Sequence, residues 1–189
     1  MIVVCSLSDF KSVCESVKPS HAISVIDPGF EPATPEGVSN HLKLGFDDIV
    51  SINDHGPLYR LPGQENKNTE VLFNEDNAQS INSFVNSWNP DQSIVIHCWC
   101  GVSRSMATAT YIMCRLDSSS LDRNIRYIRS IAPHANPNKL MISFFEKILN
   151  KQGEISSVLD KYPYSKTYDC EINFAPVTLF DINDMKDFK

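Results

Sequence analysis

Short apolar runs bounded by turn residues punctuate the first half of the chain, and longer amphipathic runs fill the second. Ile2 to Cys5 is wholly apolar and predicts a short strand. Asp9 to Val17 predicts a helix with Asp9 as its cap. His21 to Ile26 predicts a second strand, stopped by the turn signal Asp27-Pro28-Gly29. His41 to Phe46 alternates well enough for a third, and it runs into the acidic pair Asp47-Asp48. Residues 53–77 then turn polar, with Gly56-Pro57, Pro62-Gly63 and little periodicity. A loop of that length is usually functional or mobile.

Ile81, Phe84, Val85 and Trp88 mark one face of a helix from Ala78 to Trp88, ended by Asn89-Pro90-Asp91. Ser93 to Ile96 is a short apolar run between turn residues and Gly101, the pattern of a buried central strand. Ser103 to Leu116 is apolar almost all round and predicts a helix deep in the core. Amphipathic helices are expected at Leu121 to Ile131 and Lys139 to Leu149. Beyond Lys151 the pattern fades, leaving apolar pieces between Ile172 and Phe180.

Early strands, a buried strand feeding a helix through a tight loop, and late helices imply an α/β layer fold. The expected architecture is a central mixed, mostly parallel sheet flanked by helices. The 189 residues suit a single domain, taken as residues 1–161, with 162–189 as a tail that is packed or flexible. The formal charge of −6 argues against nucleic acid or an anionic membrane as partner. No apolar stretch approaches a membrane span, and the first residues lack the basic lead-in of a signal peptide. The six cysteines show no disulfide-scaffold spacing, so reduced thiols in a cytoplasm are expected.

The candidate chemistry lies in His97-Cys98-Trp99-Cys100-Gly101-Val102-Ser103-Arg104-Ser105. With six Cys and six Arg in the chain, a Cys followed six positions later by Arg is expected by chance roughly 0.2 times. Requiring also the preceding His, this Gly and the final Ser lowers that to roughly 2 × 10⁻⁵. A loop closing from strand to helix turns successive backbone N–H groups inward, forming an anion nest at a helix N-terminus. Trp99, Cys100, Gly101, Val102 and Ser103 would form that nest. Arg104 would grip two phosphate oxygens with its planar fork. Gly101 permits a turn that a side chain would obstruct. Within this field Cys98 is the candidate nucleophile, attacking phosphorus to form a phosphocysteine. Ser105 would hydrogen-bond the sulfur, and His97 would orient the loop from behind.

The string resembles the His-Cys-x5-Arg-Ser signature of the protein tyrosine and dual-specificity phosphatase superfamily, its Gly-Val-Ser-Arg-Ser ending being nearest the dual-specificity branch. Pro19 to Ile26, His41 to Ile49 and Pro133 to Asn138 are further similar to the predicted tyrosine-phosphatase family found in alphaproteobacteria. The resemblance spans residues 1–155. It implies a phosphorylated protein substrate, no metal or other cofactor, and a general-acid aspartate on a separate loop. The Phe-Asp-Asp-Ile pattern puts that acid at Asp48, followed by Asp47, Asp54 and Asp76. Asp48 stands fifty residues before Cys98, farther than in the superfamily, and an insertion after Asp48 accounts for the excess.

Several neighbours keep two readings. Cys100 fills the loop, pairs with Cys98 in a protective disulfide, or shares a metal with it. Trp99 lines the rim or packs under the loop. Arg123, Arg126 and Arg129 form a solvated stripe or steer substrate, and Arg129 is also placed to brace the loop. Asn138 caps the following helix or orients water. The runner-up functions are a lipid phosphatase, disfavoured because residues 99–103 carry no basic side chain, a rhodanese-like sulfur transferase, and a non-catalytic phosphoprotein-binding module. The sequence leaves the oligomeric state open.

Overall fold

The structure, a computed structural model, describes residues 1–52, 70–168 and 174–189. In chain order the elements are β1 (Ile2–Cys5), α1 (Leu7–Val17), β2 (His21–Ile26), β3 (Asn40–Gly45), α2 (Glu75–Ser87), β4 (Ile94–His97), α3 (Arg104–Leu116), α4 (Leu121–Ile131), α5 (Lys139–Leu149), α6 (Glu154–Lys161), β5 (Thr178–Phe180) and α7 (Ile182–Asp187). The strands form one sheet in the order β3-β2-β4-β1-β5. The first four are mutually parallel, and β5 runs antiparallel to β1. This is the mixed, mostly parallel sheet expected from the sequence.

Residues alternate between the two faces along each strand, so a sheet covered on both faces is apolar at most of its central positions. Val3, Cys5, Ala22 and Val95 face α1, meeting Phe10, Val13 and Cys14. Ile2, Val4, Ile23, Val25, Ile94 and Ile96 face the other way, into the larger core with Ile112, Ile128 and Phe145. Helix α3 runs through that core, buried from Arg104 to Cys114, and the Tyr111 ring stacks on Phe145 at 4.3 Å.

Three elements have no counterpart in the sequence reading. Helix α6 is held by Glu146, a buried carboxylate that accepts from Gly153 N at 2.9 Å and Ser156 N at 2.6 Å. Strand β5 sets Phe180 opposite Ile2 and Thr178 opposite Val4, and α7 follows with Asp181 as its cap. Part of the tail thus belongs to the sheet. Among the described residues no helix is long and apolar enough to cross a membrane.

The turn from β4 into α3 lies against the end of β1. Leu7 N donates to Trp99 O at 3.1 Å. Gly101 has φ +76°, and a Cβ there would sit 3.1 Å from the Cys5 carbonyl carbon and 3.2 Å from its oxygen. Backbone therefore packs closely on backbone, and at this positive φ any side chain would be strained.

Two stability changes follow. Phe180→Ala should cost about 3–5 kcal/mol in urea unfolding, as for a core phenylalanine; a loss under about 0.5 kcal/mol would mean that the tail only drapes over the sheet. Gly101→Ala should cost at least about 1–2 kcal/mol from the left-handed backbone alone, with weakened phosphate or vanadate binding. Unchanged stability and anion affinity would show that the loop has room to yield.

Candidate active site

Cys98 follows β4 directly and is 3% exposed. Its Sγ lies 3.1 Å from Ser105 Oγ and accepts from Gly101 N at 3.3 Å. Gly101 belongs to the turn and Ser105 to the first turn of α3, so the strand-to-helix junction that positions the sulfur also supplies its polar partners. His97, fully buried, sits behind with Nδ1 3.2 Å from Cys98 O and Nε2 2.6 Å from Ser24 Oγ. Burial pushes its imidazole down to about 4, which leaves the ring neutral at ordinary pH.

Arg104 opens α3 and is 2% exposed. Its NH1 donates to Asp27 Oδ1 and to Phe46 O, each at 2.6 Å. Its Nε is buried without a hydrogen-bond partner and lies 3.8 Å from Asp48 Oδ2. Burial works against the charge, but the carboxylates of Asp48 and Asp27 and the neighbouring Cys98 outweigh it, so the guanidinium is held more firmly protonated than usual. The sequence marks Asp27 only as a turn residue. The available signal was its position at the carboxyl end of a parallel strand, the edge where α/β sheets place their ligands.

The four candidate acids separate clearly. Asp48 Oδ1 accepts from Ser103 Oγ at 2.8 Å and from Asn138 Nδ2 at 2.7 Å, which ties it to the mouth of the loop beside Arg104. Asp47, one residue earlier, is buried and turned elsewhere: its Oδ2 accepts from Val71 N at 2.7 Å, and its N donates to Val71 O at 2.8 Å. Asp76 is exposed in the first turn of α2. Asp54 lies outside the described residues. Of the described three, Asp48 is the one bonded to the loop.

Asn138 does two things at once. Its Oδ1 accepts from Met141 N at 3.1 Å, capping α5, while its Nδ2 holds Asp48. The sequence offered the cap and a water-orienting role, but not the carboxylate contact. Arg129 donates to Tyr162 O at 2.6 Å and to Ala135 O. Asn136 N in turn donates to Val102 O at 3.0 Å, so Arg129 braces the loop through the 133–138 segment. Arg123 pairs with Asp117 and Arg126 with Asp122, away from the site. Trp99 is half-buried with its ring edge-on to Phe30 at 5.1 Å, so it packs beside the loop.

Cys100 departs from the expectation of six reduced cysteines: it is disulfide-bonded, while Cys98 is free. Cys98 is therefore not its disulfide partner. Beside the loop an open cleft of about 340 Å³ is lined by Asp48, Ile49, Val50, Ser103, Asn138 and Lys139, among others.

No protein-family model and no curated protein matches the sequence. Solved structures do match. DUSP15 is 17% identical with a TM-score of 0.53, over 87% of this chain and 94% of that one. PTPMT1, in complex with PI(5)P, is 12% identical with a TM-score of 0.54, over 85% and 94%. The human tyrosine phosphatase-like serine/threonine/tyrosine-interacting protein is 13% identical with a TM-score of 0.55, over 79% and 91%. At such identities the likeness is one of fold, and it stops short of any bacterial subfamily. The chain has the α/β fold of the dual-specificity and protein tyrosine phosphatases.

Proposed function

We propose that this chain is a phosphomonoester hydrolase acting on phosphorylated protein through a phosphocysteine intermediate. The observation that carries the reading is the buried Arg104 Nε, left without a hydrogen-bond partner in the loop that holds Cys98 and 3.8 Å from the Asp48 carboxylate. A buried guanidinium N–H without an acceptor is costly, and a phosphate oxygen is the acceptor whose geometry it fits.

In the mechanism, the phosphate lies against the loop with two oxygens on Arg104, and the Cys98 thiolate attacks phosphorus in line. The bond to the leaving oxygen breaks as Asp48 gives that oxygen its proton. Water then attacks the phosphocysteine. Asp48, now a carboxylate, takes a proton from the water, and Ser105 donates to the departing sulfur. Charge on the equatorial oxygens is met by the loop N–H groups and Arg104 throughout. Phosphotyrosine or phosphoserine and phosphothreonine of a protein fit this reading, in a compartment that keeps Cys98 reduced. The sequence resemblance of Pro19 to Ile26, His41 to Ile49 and Pro133 to Asn138 to the predicted tyrosine-phosphatase family of alphaproteobacteria supports it. Residues 99–103 carry no basic side chain for the extra phosphates of an inositol lipid.

The test is hydrolysis of para-nitrophenyl phosphate and of phenyl phosphate in metal-free buffer, with and without reductant. Cys98→Ser should abolish turnover. Asp48→Asn should slow phenyl phosphate at least about tenfold, and para-nitrophenyl phosphate less, because the better leaving group needs less help from an acid. Asp47→Asn should show no such split between substrates. A folded wild-type protein that binds vanadate but turns over neither ester would replace the enzyme by a phosphoprotein-binding module.

A further inference from the structure

A line of polar side chains runs behind the phosphate loop from the buried sheet to the surface. His97 Nδ1 lies 3.2 Å from Cys98 O, and its Nε2 lies 2.6 Å from Ser24 Oγ. That hydroxyl is also 2.7 Å from His41 Nε2, and His41 Nδ1 is 3.0 Å from the hydroxyl of exposed Thr34. The sheet sets the spacing: Ser24 on β2 is in register with His97 on β4, and His41 lies on the neighbouring β3. Phe10 of α1 covers both rings, its centroid 4.1 Å from His97 and 5.4 Å from His41.

Only one set of proton positions satisfies every contact along this line. Burial pushes both imidazoles down to about 4, with Lys43 adding to the effect at His41 and the backbone bond to Cys98 partly opposing it at His97. Each ring is therefore neutral, with one N–H and one lone pair. A carbonyl can only accept, so His97 must carry its proton on Nδ1. Its Nε2 must then accept from Ser24. Having given its single proton, Ser24 must accept from His41 Nε2–H. His41 Nδ1 is left as an acceptor for the Thr34 hydroxyl. Every bond runs in one direction, from Thr34 to Cys98 O.

We propose that Ser24 and His41 are positioning residues of the phosphate loop, locking His97 in its Nδ1–H tautomer so that the Cys98 carbonyl is held back and the following N–H groups stay turned toward the phosphate. This rests on the phosphatase reading above. Without the lock only the Cys98 carbonyl favours Nδ1–H, and the Nε2–H tautomer becomes accessible. A lone pair then faces the carbonyl oxygen, and the peptide behind the nucleophile loses its anchor.

The experiment is long-range ¹H–¹⁵N NMR of ¹⁵N-histidine-labelled protein at pH 7, alongside para-nitrophenyl phosphate kinetics and vanadate binding. Wild type should show His97 as Nδ1–H and His41 as Nε2–H. His41→Phe keeps a ring against Phe10 but removes both nitrogens; it should release His97 to a tautomer mixture and lower kcat and vanadate affinity about tenfold. His41→Gln offers a donor and an acceptor in their place and should restore both to within about twofold, with His97 again Nδ1–H. Ser24→Ala, which breaks the line with almost no change of volume, should reproduce the His41→Phe result and serves if that variant fails to fold. A wild-type His97 in the Nε2–H form would overturn the proposal. So would folded His41→Phe and Ser24→Ala proteins that keep wild-type vanadate affinity and rate. If wild type turns over no ester, the phosphatase reading fails separately, and the tautomer and vanadate measurements still decide the lock.

Discussion

The site is organised by one electrostatic constraint, the burial of Arg104. Taking a guanidinium out of water costs several kcal/mol unless charge and acceptors are supplied around it. Here they come from strand ends: Asp27 from the end of β2, Phe46 O just past β3, and Asp48 two residues further. Because β3, β2 and β4 are adjacent and parallel, their carboxyl ends fall along one edge, where β4 also delivers Cys98. Sheet order, more than any local propensity, brings Cys98, the cation and its counter-charges together.

The same arrangement accounts for the division of labour between the two carboxylates. Asp27 is buried and bonded to NH1, so it fixes the guanidinium without facing the cleft. Asp48 is partly exposed and only loosely paired with Nε, and Ser103 and Asn138 hold it independently of the arginine. In the proposed reaction an incoming phosphate would take over Nε while Asp48 stays in place. A single carboxylate doing both jobs would have to leave Arg104 whenever substrate bound.

Legibility from sequence follows the range of the interactions involved. The strands around the site and helices α1 to α5 are set by local periodicity and turn residues, and they were readable to within a few positions. Strand β5 has three residues and exists because Thr178 meets Val4 across nearly the whole chain, which no local pattern announces. Helix α6 depends on Glu146 reaching forward to Gly153 and Ser156. At the site, His97, Cys98, Arg104 and Ser105 fall in one nine-residue stretch from the end of β4 to the start of α3 and are visible as a string. Asp27 and the carboxylate contact of Asn138 depend on the sheet order, so neither had a signature of its own. The disulfide of Cys100 has no signature in composition, which bears on compartments and says nothing of which sulfur meets which.

The long separation between Asp48 and Cys98 also has a physical account. Asp47 and Val71 exchange two hydrogen bonds, Asp47 N to Val71 O and Val71 N to the Asp47 carboxylate. They act as a clasp that brings the two ends of the intervening segment together immediately beside Asp48. With the neck closed, the cost of a longer segment grows only with the logarithm of its length. The position of Asp48 is then set by the clasp on one side and by Ser103 and Asn138 on the other. The Asp47 carboxylate is engaged by Val71 N, while its neighbour Asp48 faces Arg104. Two adjacent aspartates of the same chemistry are thus separated into a structural role and a candidate chemical one by the direction in which the chain leaves β3.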